Sequence, residues 1–113
     1  MTQLLQIFSI INKKYADTLE DAERILPIVE EAIKNRKRLD LSFEGLDICS
    51  TIFLNNFLGK LYLSFGNDVD QYIHYTGFPD NNTVISNKIE RLKKRALNRD
   101  AYDEIFNNAI GNA

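Results

Sequence analysis

An α/β fold follows from the way two kinds of pattern alternate along this chain. Short β-branched and aromatic runs suited to strands are separated by longer stretches whose apolar residues recur every three or four positions. Each strand-like run is thus followed by a helical crossover, which makes a largely parallel sheet the expected arrangement. With 113 residues, 44% of them hydrophobic, the chain fills one packed core and leaves little room for a second.

The elements follow in order. Leu4 to Ile11, LLQIFSII, has the composition of a buried strand, and the polar segment NKKYADT breaks it. Thr18 with Asp21 three residues on forms a capping-box pattern, Asp standing in for the usual Glu. Behind it Leu19, Ala22, Ile25, Val29 and Ile33 mark one face of an amphipathic helix. Pro27 inside that helix predicts a kink, because it removes a backbone donor and crowds the preceding turn. Leu39 to Phe43 alternates as a second strand.

From Thr51 to Phe65 the apolar residues leave only a narrow polar stripe of Asn55, Asn56, Gly59, Lys60 and Ser64. A mostly buried helix is predicted there, stopped by Gly66. Val69 to Thr76 alternates as a third strand, and Gly77-Phe78-Pro79-Asp80 is a break. Thr83 to Leu97 reads as a helix with Ile85, Ile89, Leu92 and Ala96 inward. Asp100 can cap a last helix on which Tyr102, Ile105, Phe106, Ala109 and Ile110 repeat at helical spacing. The expected architecture is a small sheet of three or four strands with crossover helices over residues 1–97. A C-terminal amphipathic helix follows over 98–113, packed on the domain or on a partner.

The stretch Leu39 to Leu61 carries a more specific pattern. Ser42-Phe43-Glu44-Gly45-Leu46 is followed by Ile48, then Ile52-Phe53, then Gly59-Lys60-Leu61. It resembles the central signature of STAS-like domains, in which a strand ending in Asp-Phe-x-Gly-Val leads through a short loop into a helix. The resemblance spans about Leu4 to Leu97 and implies a STAS-like α/β fold in a bacterial regulatory protein. In the related anti-sigma-factor antagonists a serine at this helix start is phosphorylated by a histidine-kinase-like ATPase, and the phosphate switches binding. Aligned on Gly45, that position is Thr51, the candidate phosphosite. Ser50 replaces the aspartate that precedes it, Phe53 replaces a small residue, and Asn55-Asn56 replace an acidic pair. These departures weigh against the phosphate switch and leave partner docking standing. The resemblance therefore implies a protein-binding surface at Asp47, Ser50, Thr51, Asn55 and Asn56, with a histidine-kinase-like ATPase as the expected partner.

Other function classes have less support. Net charge is −2, from 14 basic and 16 acidic side chains, which gives no general reason to expect nucleic acid or an anionic membrane. The densest apolar run is interrupted by Ser50, Asn55, Asn56 and Lys60, so it is no membrane span. No secretion signal is visible at the N-terminus, and Cys49 is the single cysteine; both suggest the cytoplasm. No metal or nucleotide motif occurs, so no cofactor is expected. His74 is the only histidine and lies on a predicted strand, while Cys49 sits beside Ile48 as a packing residue. An enzyme is not expected. The alternative is a nucleic-acid-associated regulator: Lys88, Arg91, Arg95 and Arg99 share one helix face that phosphates could contact.

Overall fold

The computed structural model describes residues 2–79 and 83–98. Its first half runs β1 (Gln3–Gln6), α1 (Ile7–Ile11), β2 (Tyr15–Ala16), α2 (Leu19–Lys34), β3 (Leu39–Ser42) and β4 (Ile48–Cys49). Then come α3 (Thr51–Leu54), a π-helical turn (Asn55–Gly59), α4 (Lys60–Phe65), α5 (Asp68–Tyr72), β5 (Ile73–Thr76) and α6 (Val84–Leu97). The main sheet has the order β1-β3-β5 and is parallel throughout, as the helical crossovers require. Leu41 of central β3 lies in register with Leu5 on one side and Tyr75 on the other. A second, two-stranded parallel sheet pairs β2 with β4. The α/β expectation holds, with three strands in the main sheet. The expected C-terminal helix lies outside the described residues.

Two of the expected strands are shorter than their composition suggests, and for the same reason. The run from Leu4 to Ile11 is a strand only to Gln6 and then turns into α1. Ile7 and Ile11 are both buried while Ser9, which a strand would put on the same face as both, is exposed; a helix separates Ser9 from the buried pair. Asn12 ends the helix in the left-handed conformation, its N–H donating to the Phe8 carbonyl at 2.7 Å. Likewise Val69 to Thr76 begins as α5 and becomes a strand only at Ile73. Val69 and Ile73 are the buried pair, Gln71 between them is exposed where a strand would turn it to the same face, and Asp68 and Asp70 favour the positive end of a helix over a strand.

The segment 51–65 runs as one helix without a break, but not as a regular α-helix. Its buried side chains come in adjacent pairs, Phe53/Leu54, Phe57/Leu58 and Leu61/Tyr62, each pair four residues after the last. At about 100° per residue, eight residues of ideal α-helix carry the last pair roughly 80° past the first. A π turn takes up one extra residue, which swings the later pair back by about 100°. All three pairs therefore face the core. Both α2 and α6 pack against this segment. Gly66, with φ of +59°, closes the helix as expected, its N–H donating to the Tyr62 carbonyl.

Helix α2 starts at the expected capping box. The Thr18 hydroxyl accepts from the Asp21 N–H at 3.1 Å, and the Asp21 carboxylate accepts from the Thr18 N–H at 3.3 Å. Asp21 is buried, and Lys13 reaches it at 2.9 Å from the loop after α1. Pro27 lies on the exposed face of α2, where water can serve the carbonyl it leaves unpaired.

Burial raises the Asp21 carboxyl pKa, but the Lys13 ammonium, the Thr18 hydroxyl and the amides of Asp17 and Thr18 together bring it below its ordinary value. A group with a depressed folded-state pKa stabilises the fold above its unfolded value. That contribution is lost as pH falls through the folded value. Asp21→Asn is expected to cost about 1–2 kcal/mol at neutral pH and to flatten the loss of stability below the ordinary carboxylate range. Denaturant melts across the acid range test this. An Asn variant with the wild-type acid profile would contradict the assignment.

Candidate functional site

The candidate site is built where β3 gives way to the 51–65 helix. Phe43-Glu44-Gly45-Leu46 forms a tight turn in which the Leu46 N–H donates to the Phe43 carbonyl at 3.1 Å. Gly45 has φ of +86° at the third position, where side-chain-bearing residues are strained. The chain then runs through Asp47 into β4, which lies against β2. The Asp47 N–H donates to the Lys14 carbonyl at 2.8 Å and the Ser50 N–H to the Ala16 carbonyl at 2.9 Å. This pairing fixes the loop from both ends.

Gly77 pins the same region from behind. Its φ is +73°, and a Cβ there would sit 2.6 Å from Ser42 Oγ and 2.9 Å from the Glu44 amide nitrogen. The Phe43 N–H donates to the Thr76 carbonyl, and the Phe43 and Phe78 rings stack with centroids 4.8 Å apart. The turn after β3 and the exit from β5 are thus in direct contact.

Ser50 is the N-cap of the helix: its hydroxyl accepts from the Phe53 N–H at 3.1 Å and its carbonyl accepts from the Leu54 N–H at 3.0 Å. Thr51 is the first helical residue and is exposed. Its amide and that of Ile52 belong to the helix-start donors that no helical carbonyl can serve. Asn55 is exposed, whereas the Asn56 side-chain amide donates to the Ile52 carbonyl at 2.8 Å, within its own helix. Both asparagines belong to the π turn, a distortion often found beside functional sites.

The loop exposes apolar side chains as well as polar ones. Ile48 is 50% exposed and Ile52 59% exposed. Tyr15, directly opposite Ile48 in the β2–β4 register, is 48% exposed. Ile48 falls within the expected docking stretch of residues 47–56 without being one of its named polar contacts, and Tyr15 lies outside that stretch. The segment that contains Tyr15 read as a plain break, since two residues of strand leave no periodicity to detect.

Helix α6 stands beside the helix start and holds it. The Lys88 ammonium donates to the Cys49 carbonyl at 3.1 Å, bridging β4 and α6. Further along, Lys93 pairs with Asp70, which accepts from the buried Tyr62 hydroxyl at 2.7 Å. The Tyr62 and Tyr75 hydroxyls are also 2.7 Å apart. Burial first, then the neighbouring hydroxyl and carboxylate, pushes the Tyr62 pKa up, and burial likewise raises Tyr75. Both phenols stay neutral and act as hydrogen-bonding struts.

Between α6 and the helix start lies a cleft of about 490 Å³. Thr51, Leu54 and Asn55 form one wall, and Lys88, Arg91 and Arg95 stand on the other. Two of the five expected docking residues, Thr51 and Asn55, therefore meet Lys88, Arg91 and Arg95 of the expected basic stripe across one cleft, whereas Asp47, Ser50 and Asn56 do not line it. Arg99 lies outside the described residues.

The remaining candidates are placed elsewhere. His74 is a surface residue on β5 whose Nδ1 lies 3.3 Å from Asp40 Oδ1 on the neighbouring strand. Cys49 is buried, and desolvation pushes its thiol up to about 12 despite the opposing charge of Lys88, so the nucleophilic thiolate is scarce at neutral pH. Among the described residues no cluster of His, Cys, Asp or Glu is arranged to hold a metal ion. None of their helices is long and apolar enough to cross a membrane.

The family model for a STAS-like domain of unknown function (DUF4325) matches residues 21–82, from the first turn of α2 through β5. That stretch contains the whole turn–β4–helix unit and is more than half of the chain. The protein belongs to this STAS-like family. No curated protein and no solved structure matches it. The STAS-like match ends before α6, so the basic wall of the cleft lies outside it.

Ser50, not Thr51, is the structural residue of this STAS-like helix start. Ser50→Ala is expected to lower stability by about 1 kcal/mol, and Thr51→Ala by less than about 0.5 kcal/mol. Chemical denaturation of both variants measures this. Equal losses would contradict the capping assignment.

Proposed function

We propose that this STAS-like domain is a non-enzymatic regulatory module that docks a protein partner through the loop and helix start from Asp47 to Asn56. The observation that carries the reading is the exposure of Tyr15 and Ile48, paired across β2 and β4, and of Ile52 at the adjoining helix start, on a loop held by β2 pairing and the Ser50 cap. Exposed apolar side chains beside polar ones are the usual composition of a protein contact surface. Asp47, Ser50, Thr51 and Asn55 supply the polar part. A bacterial cytoplasmic setting and a histidine-kinase-like ATPase partner are what the STAS-like resemblance suggests.

The docking surface works as a plain adaptor in this proposal. Thr51 is open to a kinase, and a phosphate there would face the helix-start amides and the positive end of the dipole. Its neighbours favour the adaptor: Ser50 is engaged as the cap, and bulky Ile52 and Phe53 follow. Ile48→Asp/Ile52→Asp should leave the fold intact, since both side chains are about half exposed, and should abolish retention of an ATPase partner in affinity capture from the native host. Thr51→Glu should weaken that retention, and phosphopeptide mapping should find no phosphate at Thr51. Undiminished capture by the Ile48/Ile52 variant would move the docking surface elsewhere. Stoichiometric phosphate at Thr51 or Ser50 would replace the adaptor with a switch.

A further inference from the structure

The cleft beside the helix start continues into a second one of about 240 Å³, the two sharing Asn55, Leu92 and Arg95. Together they form a groove from Thr51 to Leu63 on one wall and from Lys88 to Ala96 on the other. Its floor is apolar: Leu54 and Leu92 at the first end, Leu63 and Ala96 at the second. Leu63, 51% exposed, is the large apolar side chain that the 51–65 helix presents here without covering it. Its rim is cationic, with Lys88, Arg91, Lys94 and Arg95. Among the described residues no carboxylate lines either cleft.

The charges of α6 are sorted by face. Lys93 is paired with Asp70 on the side of the tyrosine network, and Lys88 is tied to the Cys49 carbonyl. Among the described residues no carboxylate pairs with Arg91, Lys94 or Arg95. A chain with net charge −2 thus gathers unpaired positive charge along one apolar groove.

We infer that this groove receives an acidic amphipathic helix of a protein partner. The inference rests on the docking reading above and gives the partner's chemistry. Twelve steps of helix from Thr51 to Leu63 span about 18 Å, the length of a helix of about twelve residues. Such a helix places apolar residues at i, i+3, i+4 and i+7 on a floor like this one, and its flanking carboxylates face the rim. A nucleic acid backbone would use the rim and leave Leu54, Leu63 and Leu92 uncovered, and a small anion would cover still less.

The probe is a synthetic helix of about twelve residues, with Leu at the four anchor positions and Glu at the others, titrated into the ¹⁵N-labelled full chain. The same peptide with Lys in place of Glu, and a single-stranded oligonucleotide, are the comparisons. The Glu peptide should shift the amides of Leu54, Asn55, Leu92 and Arg95. Its affinity should fall at least about tenfold with Arg91→Glu/Arg95→Glu and should weaken as salt rises. Ile48→Asp/Ile52→Asp should leave peptide binding unchanged, so loss of the cellular partner in that variant reports on the loop alone.

No shift with the Glu peptide, equal binding of the Lys peptide, or tighter binding of the oligonucleotide each overturns the inference. So does a concentration-dependent dimer that shifts the same amides. A spin label at Ala109→Cys tests the chain's own last residues, and buried Cys49 does not compete for the reagent. Broadening of Leu92 and Arg95 before any peptide is added would overturn a partner helix in favour of residues 99–113.

Discussion

The constraint on which this molecule depends is the burial of a double row of side chains on one helix. Phe53/Leu54, Phe57/Leu58 and Leu61/Tyr62 repeat every four residues and are all buried, each contributing about 1.5–3 kcal/mol. A regular α-helix would rotate the last pair out of the core. The π turn at Asn55–Gly59 keeps the row in line, and both α2 and α6 pack against it. Both proposed surfaces follow from this placement. The loop before the helix is where the row begins, and the groove lies where α6 meets the helix flank.

Electrostatics then divides those surfaces. The buried charge of Asp21 is spent on the start of α2, where Lys13 and the capping box hold it. Asp70 is taken by Tyr62 and Lys93, which secures α6 to α4 and α5. Among the described residues no carboxylate pairs with the outer cations Arg91, Lys94 and Arg95, which stand on the groove rim. The loop itself is dominated by apolar exposure. The proposed docking side thus combines apolar exposure at the helix start with a positively lined groove beside it.

The capping box, the 51–65 helix with its Gly66 stop, and the β3–turn–helix pattern were all legible in the sequence, because each rests on local chemistry or a long period. The strand limits at Gln6 and Ile73 were not. Ile7/Ile11 and Val69/Ile73 are β-branched pairs, and only the exposure of Ser9 and Gln71 between them shows that helix overrides strand propensity. The β2–β4 pairing was invisible for a different reason: two residues on each side carry no pattern, so Tyr15 reaches the site only through long-range pairing. The basic stripe was visible as a helix face, but its meeting with Thr51 and Asn55 depends on how α6 packs. The π turn was present in the sequence as the four-residue repeat of paired apolar residues, a signal that a search for ordinary helical spacing passes over.

Amide hydrogen exchange on the full chain tests most directly whether the 51–65 helix is the pillar of the fold. The account predicts that the amides of Leu54, Phe57, Leu58, Leu61 and Tyr62 exchange only on global unfolding, with the same opening free energy as Leu41 in central β3. Exchange of Phe57 and Leu58 through a separate, lower-energy opening, while Leu41 stays protected, would contradict it: the π turn would then be a weak point in the helix, and the packing of α2 and α6 would rest on something else.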